Sequence, residues 1–196
     1  FEKFKGLGEL TPPQLASLFI TRQEVSPEQF ELACKCWDAY VSPTPEALQN
    51  VIKNEDFSTL PHLKDALSRC LQQYPSRKNG LSRLENQILQ VVSDGVAKPV
   101  AIFKAASDME ERPYFGDTMV WSAIDGLATG EQPALEIEGP GLLPIWHQPE
   151  DWNAWTISTT GFGEQLLVGE ADWIEINGID RWVAGCHLKS PEDVVR

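Results

Sequence analysis

The chain has 196 residues, with 16 Lys plus Arg against 29 Asp plus Glu, a formal charge of -13 and a pI near 4.6. That balance argues against a nucleic acid or other polyanion as partner, since few cations are available to replace its counterions. Seven Trp, eight Phe, three Tyr and 42% hydrophobic residues describe a folded globular protein of one domain or two small ones. No stretch approaches the ~18 consecutive apolar residues of a membrane span, and no basic segment followed by an apolar run resembles a signal peptide. The expectation is a soluble, cytoplasmic protein with no membrane partner and no cofactor. Cys34, Cys36, Cys70 and Cys186 lack the C-x-x-C spacing of a zinc site and are too few for a disulfide framework, so they read as reduced core thiols. The chain opens at Phe1 rather than Met, inside text that already reads as folded, and is taken as a piece lacking its upstream residues.

In chain order, helix-start signals come first. Thr11-Pro12-Pro13-Gln14 and Ser26-Pro27-Glu28-Gln29 each place a hydroxyl cap, a proline at the first helical position and a Gln three residues after the cap. Thr44-Pro45-Glu46 starts a third helix, and a fourth runs from about Leu60-Pro61 to Gln73. Their expected inward stripes are Leu15, Leu18 and Phe19; Phe30, Cys34, Trp37 and Val41; Leu48, Val51 and Ile52; and Leu63, Leu67, Cys70 and Leu71. The polar stretch 75–80 is placed as a boundary. Residues 1–80 thus form a helical region with nine basic and ten acidic residues, net -1. Residues 81–196 carry seven basic and nineteen acidic residues, net -12.

Ser82-Arg83-Leu84-Glu85 is a further capping box, opening a helix that ends near Ser93-Asp94-Gly95. A helix over 98–110 follows, with Val100, Ile102, Phe103 and Ala106 inward, and another begins after Gly116-Asp117 with Val120, Ala123, Ile124 and Leu127 on one face. The period then becomes two: residues 134–138 alternate and pair as a hairpin with 155–158, across a long loop over 139–154. A short helix follows Thr160-Gly161, and residues 180–188 read as one closing strand. The fold class is mainly α: an N-terminal helical bundle, then an α+β part with a small antiparallel sheet.

Three helices followed by a hairpin resemble a winged helix, an association by order of elements only. The segments Asn79-Gly80-Leu81-Ser82-Arg83-Leu84-Glu85 and Asn177-Gly178-Ile179-Asp180-Arg181-Trp182-Val183-Ala184-Gly185-Cys186-His187-Leu188 resemble the later part of a bacterial family of unknown function. The resemblance implies a bacterial source and a missing upstream segment, and no activity.

A winged helix commonly lays its third helix in the major groove while Lys and Arg neutralise phosphates. Residues 117–130 hold no Lys or Arg, and the wing brings Glu136, Glu138, Glu150 and Asp151. DNA binding is therefore the lesser alternative, and a non-enzymatic interaction or regulatory module that meets a protein partner or its own copy is preferred. A third alternative is an enzyme or ligand site around Asn177, Asp180, Arg181 and His187, completed upstream; on one strand, Arg181 and His187 would share a face, the first to grip an anion and the second to move protons. Structural roles for the four compete with that alternative, since no Ser, Cys or second carboxylate completes a catalytic set. Tyr114, Phe115, Trp121 and Trp146 are candidate interaction residues. A metal site at His147 with Glu150 and Asp151 is discounted because the three His are scattered, and His62 reads as a cap or surface residue. Cys34 and Cys36 diverge on their helix, and Gly161-Phe162-Gly163 lacks the context of a nucleotide loop.

Overall fold

The computed structural model describes residues 6–147 and 149–189. These form a mainly helical chain with two small antiparallel sheets. Four helices come first: α1 (Pro12–Phe19), α2 (Pro27–Tyr40), α3 (Pro45–Asn54) and α4 (Leu63–Leu71). Then α5 (Arg83–Ser93), α6 (Pro99–Asp108) and α7 (Asp117–Ala128) lead into a hairpin of β1 (Leu135–Glu138) and β2 (Thr156–Thr159). Two short helices, α8 (Gly161–Val168) and α9 (Trp173–Asn177), precede a second hairpin of β3 (Arg181–Val183) and β4 (Cys186–Leu188).

Local chemistry sets the helix starts. The Ser26 hydroxyl accepts the Gln29 N–H at 3.2 Å while the Gln29 side chain accepts the Ser26 N–H at 3.0 Å. Ser82 and Glu85 reciprocate in the same way before α5. At α3 the Thr44 hydroxyl caps nothing, and Pro45 alone marks the start. Helix α9, absent from the sequence reading, begins where the Asp172 carboxylate accepts the N–H groups of Ile174 and Glu175.

The larger core joins α5, α6, α7, the first hairpin and α8 through residues such as Ile88, Leu89, Ile102, Ile124, Leu135, Ile157 and Leu166. Val120, Ile124 and Leu127 of α7 are buried as expected, whereas Val100 of α6 lies exposed. In the hairpin Ile137 faces Ile157, and the Ile157 N–H donates to the Ala97 carbonyl at 2.8 Å, so the α5–α6 connection borders it. Part of the connection between the strands packs inward: Leu143 is buried, and the Trp155 indole N–H donates to the Gly141 carbonyl at 2.8 Å.

A smaller core joins Leu32, Cys36 and Ala39 of α2 to Leu48, Phe57 and Leu67. Here the expected stripe of α2 is overturned. Phe30, Cys34, Trp37 and Val41 lie on the solvent side, because α2 is apolar on two faces and turns the one with smaller side chains toward α3. On α1 nothing is buried, so its expected inward stripe also faces water.

The polar stretch 75–80 uses its polarity internally. Asn79 has no exposed surface: its amide donates to Asn86 at 2.7 Å and to the Leu166 carbonyl at 2.9 Å, while its oxygen accepts from Ser76 at 2.7 Å. Its own carbonyl accepts the Trp173 N–H at 2.8 Å. Such a buried hub, with each group partnered, ties α5, α8 and α9 together.

Candidate functional site

The C-terminal block departs most from expectation. Residues 180–188 are not one strand but the β3–β4 hairpin, with Trp182 opposite His187 and Val183 opposite Cys186. The turn falls at Ala184, with φ at 51°, and at Gly185, whose bare Cα lies against the Val41 backbone. Folding the strand back on itself reverses the face assignment. Arg181 now lies on the inner face with Val183, Cys186 and Leu188, while His187 lies on the outer face with Trp182.

Each of the four candidate ligand residues is already held. Arg181 donates to Glu85 at 2.8 Å, so the segment 177–188 clasps the segment 79–85. His187 meets Asp180 at 2.7 Å and stacks on Trp182 with ring centroids 4.4 Å apart. Asn177 exchanges two hydrogen bonds with the Gln132 backbone at 3.0 and 3.1 Å. The Cys186 thiol faces inward and accepts from the Tyr74 hydroxyl at 2.9 Å. Burial, then that thiol, push Tyr74 ionisation well above the ordinary phenol range. Arg181 and His187 therefore do not line one cleft, and the block acts as a clasp.

Of the aromatic candidates, Trp121 is buried between Phe103 and Trp152, with the Trp152 ring 4.6 Å away, so it is a core residue and not a contact surface. Phe115 packs edge-on against Phe103, and Tyr114 lies half-buried under Arg69. Trp146 alone of the four stands open to solvent. Among the described residues no cluster of His, Cys, Asp and Glu can hold a metal ion, and no helix is long and apolar enough to cross a membrane.

Two places missed by the sequence reading stand out. The first is a set of exposed apolar side chains on and beside α1 and α2: Phe19, Phe30 and Trp37 are 64%, 65% and 62% exposed, and Leu15, Ile20, Val25 and Val41 are exposed as well. The second is a cleft of about 470 Å³ between α4 and residues 110–114. On its wall the Arg69 guanidinium, 7% exposed, grips the Glu110 carboxylate through two bonds of 2.7 and 2.8 Å and covers the Tyr114 ring at 4.2 Å. Burial pushes Glu110 upward, but hydrogen bonds from Arg69 and Gln87 and the charges of Arg69 and Arg83 outweigh it, leaving the carboxyl below its ordinary range. Burial likewise pushes the Tyr114 phenol and the nearby Cys70 thiol up. Nothing local in sequence marks Arg69, since Glu110 lies 41 residues away. The available cue was the charged run Glu110-Glu111-Arg112 straight after α6, which reads by default as a solvated face.

No protein-family model, curated protein or solved structure matches the chain.

Proposed function

We propose that this protein is a non-enzymatic interaction module, built on a winged-helix-like scaffold, that pairs with a second copy of itself through the apolar faces of α1 and α2. The observation that carries the reading is the exposed aromatic and aliphatic surface on those helices. Three aromatics two-thirds exposed leave roughly 100–150 Å² each, and with the four aliphatics the exposed apolar area on and beside these helices sums to on the order of 700 Å². A standard interface needs about 800 Å² per partner, and isolated patches on monomers are usually smaller.

Charge selects a second copy as the occupant. Residues 1–80 have a net of -1 against -12 for the remainder, so two copies meet here without pressing their acidic parts together. Helix α7 carries no Lys or Arg and shows solvent Met119, Ser122 and Gly126, a poor surface for phosphates. The clasp geometry of Arg181, His187 and Asp180 supports a module over an enzyme.

Light scattering coupled to size exclusion tests this directly. The expected mass at micromolar concentration is twice the 21.9 kDa of one chain. The double variant Phe30→Asp, Trp37→Asp should return to a single-chain mass while keeping the wild-type circular dichroism spectrum, since both side chains are exposed. A wild-type protein that stays at 21.9 kDa, or a variant that still pairs, overturns the reading. Salt-sensitive binding of random duplex DNA would replace it with DNA recognition.

A further inference from the structure

We propose that the cleft between α4 and residues 110–114 binds a small organic monocarboxylate, held by Arg83 and Arg112 after it displaces the Glu111 carboxylate that now occupies Arg83. The distribution of cations is the starting point. In a chain of net charge -13, three of the seven arginines, Arg69, Arg83 and Arg112, line this one cleft. A guanidinium presents paired donors that match a carboxylate in geometry, and this is the usual reason to collect arginines where binding must be specific.

The three are not equivalent. Arg69 is fixed: its partner Glu110 has a side chain only 3% exposed, and the pair forms the floor of the cleft. Arg83, whose side chain is 24% exposed, donates to Glu111 at 2.9 Å and also to the Gln72 side chain at 2.8 Å and the Met109 carbonyl at 3.1 Å, and Arg112 lies 3.8 Å from Asp65. These partner carboxylates are 76% and 65% exposed, so water competes for both and neither is locked in place. Glu111 stands where a ligand carboxylate would meet Arg83, and its exposure lets it swing out into water. The lining is balanced, with Asp65, Glu110 and Glu111 opposite three arginines, so a monoanion that replaces one swinging carboxylate preserves neutrality. A phosphate dianion in place of Glu111 alone would leave the lining one negative charge in excess. Tyr114, Pro113 and Ala66 supply an apolar wall for a flat hydrocarbon body, and the volume falls within the ~300–1,000 Å³ of small-molecule sites.

The experiment is a titration of the whole chain with benzoate and separately with inorganic phosphate, at ionic strength held constant with chloride, followed by calorimetry and amide chemical shifts. Saturable benzoate binding with shifts gathered on α4 and residues 110–114 is expected. Arg112→Ala should weaken it about tenfold, the loss of one charge-assisted contact. Glu111→Gln should tighten it several-fold by removing the competing carboxylate, an outcome a purely structural role for this residue does not produce. Both side chains are exposed, so both variants should keep the wild-type melting curve. No saturation with benzoate, phosphate binding as tight as benzoate, or indifference to Glu111→Gln each overturns the proposal.

Discussion

Glu110→Ala offers the sharpest test of the energetics. The mutation strips Arg69 of two charge-assisted bonds, at 2.7 and 2.8 Å, in a place where the Arg69 residue is 7% exposed. Hydrogen bonds to charged groups contribute about 1.5–3 kcal/mol each, which puts the gross loss at roughly 3–6 kcal/mol. The stranded guanidinium keeps the Tyr114 ring at 4.2 Å and gains access to cleft water, so the net cost should settle near 3–5 kcal/mol, the range for one partner left buried and uncompensated. For a chain of this size that corresponds to a fall of about 6–20 °C in melting temperature, at 2–4 °C per kcal/mol. The control is Arg69→Met with Glu110→Leu, which removes both charges and refills the volume; it should recover most of the loss. Urea denaturation followed by circular dichroism measures both. A loss under about 1 kcal/mol for Glu110→Ala, as at a surface pair, or a double variant no more stable than the single, would refute this account of the pair.

Two further outcomes follow from named contacts. Because the folded Glu110 carboxyl sits below its ordinary value of 4.5, the unfolded chain binds the proton more readily, so the stability contributed is complete above 4.5 and is lost as pH falls through the folded value. Urea midpoints measured from neutral to acid should fall less steeply for Glu110→Gln than for wild type, and parallel slopes would contradict the assignment. At Gly185, whose N–H donates to the Tyr40 carbonyl at 2.9 Å, an added methyl runs into the Val41 and Ser42 backbone. Gly185→Ala should cost about 1–3 kcal/mol by overpacking and raise hydrogen exchange at Val183, Cys186 and Leu188 while sparing the first hairpin; unchanged exchange would show the contact to be unimportant.

What could be read from the chain divides along a physical line. Caps are local, so Ser26 with Gln29 and Ser82 with Glu85 announced α2 and α5 within a residue. Period was legible where only one face is apolar, as on α7, and misleading on α2, where Leu32, Cys36 and Ala39 compete with a bulkier set and packing with Leu48, Phe57 and Leu67 decides. Alternation over 180–188 fits a single strand and a tight hairpin equally well; the small pair Ala184-Gly185 was the cue for the turn. The Arg69–Glu110 pair and the Arg181–Glu85 clasp span 41 and 96 residues, and no windowed pattern carries a partner so distant. The candidate block was thus found as a unit, but its use as a clasp depended on contacts outside it.

The second hairpin also has a bearing on how the chain is made. Gly185 bonds to Tyr40, the Val183 carbonyl accepts from Tyr74, and Arg181 reaches Glu85, so the last described strands close loops of about a hundred residues or more. Contacts of such separation form late, since their entropy of closure must be met before they stabilise anything. Until residue 188 has emerged from the ribosome, the end of α2, Tyr74 and the start of α5 lack the element that joins them. The nascent chain then leaves that seam open while the apolar side chains of α1 and α2 are also exposed, and this interval is when it is most open to aggregation.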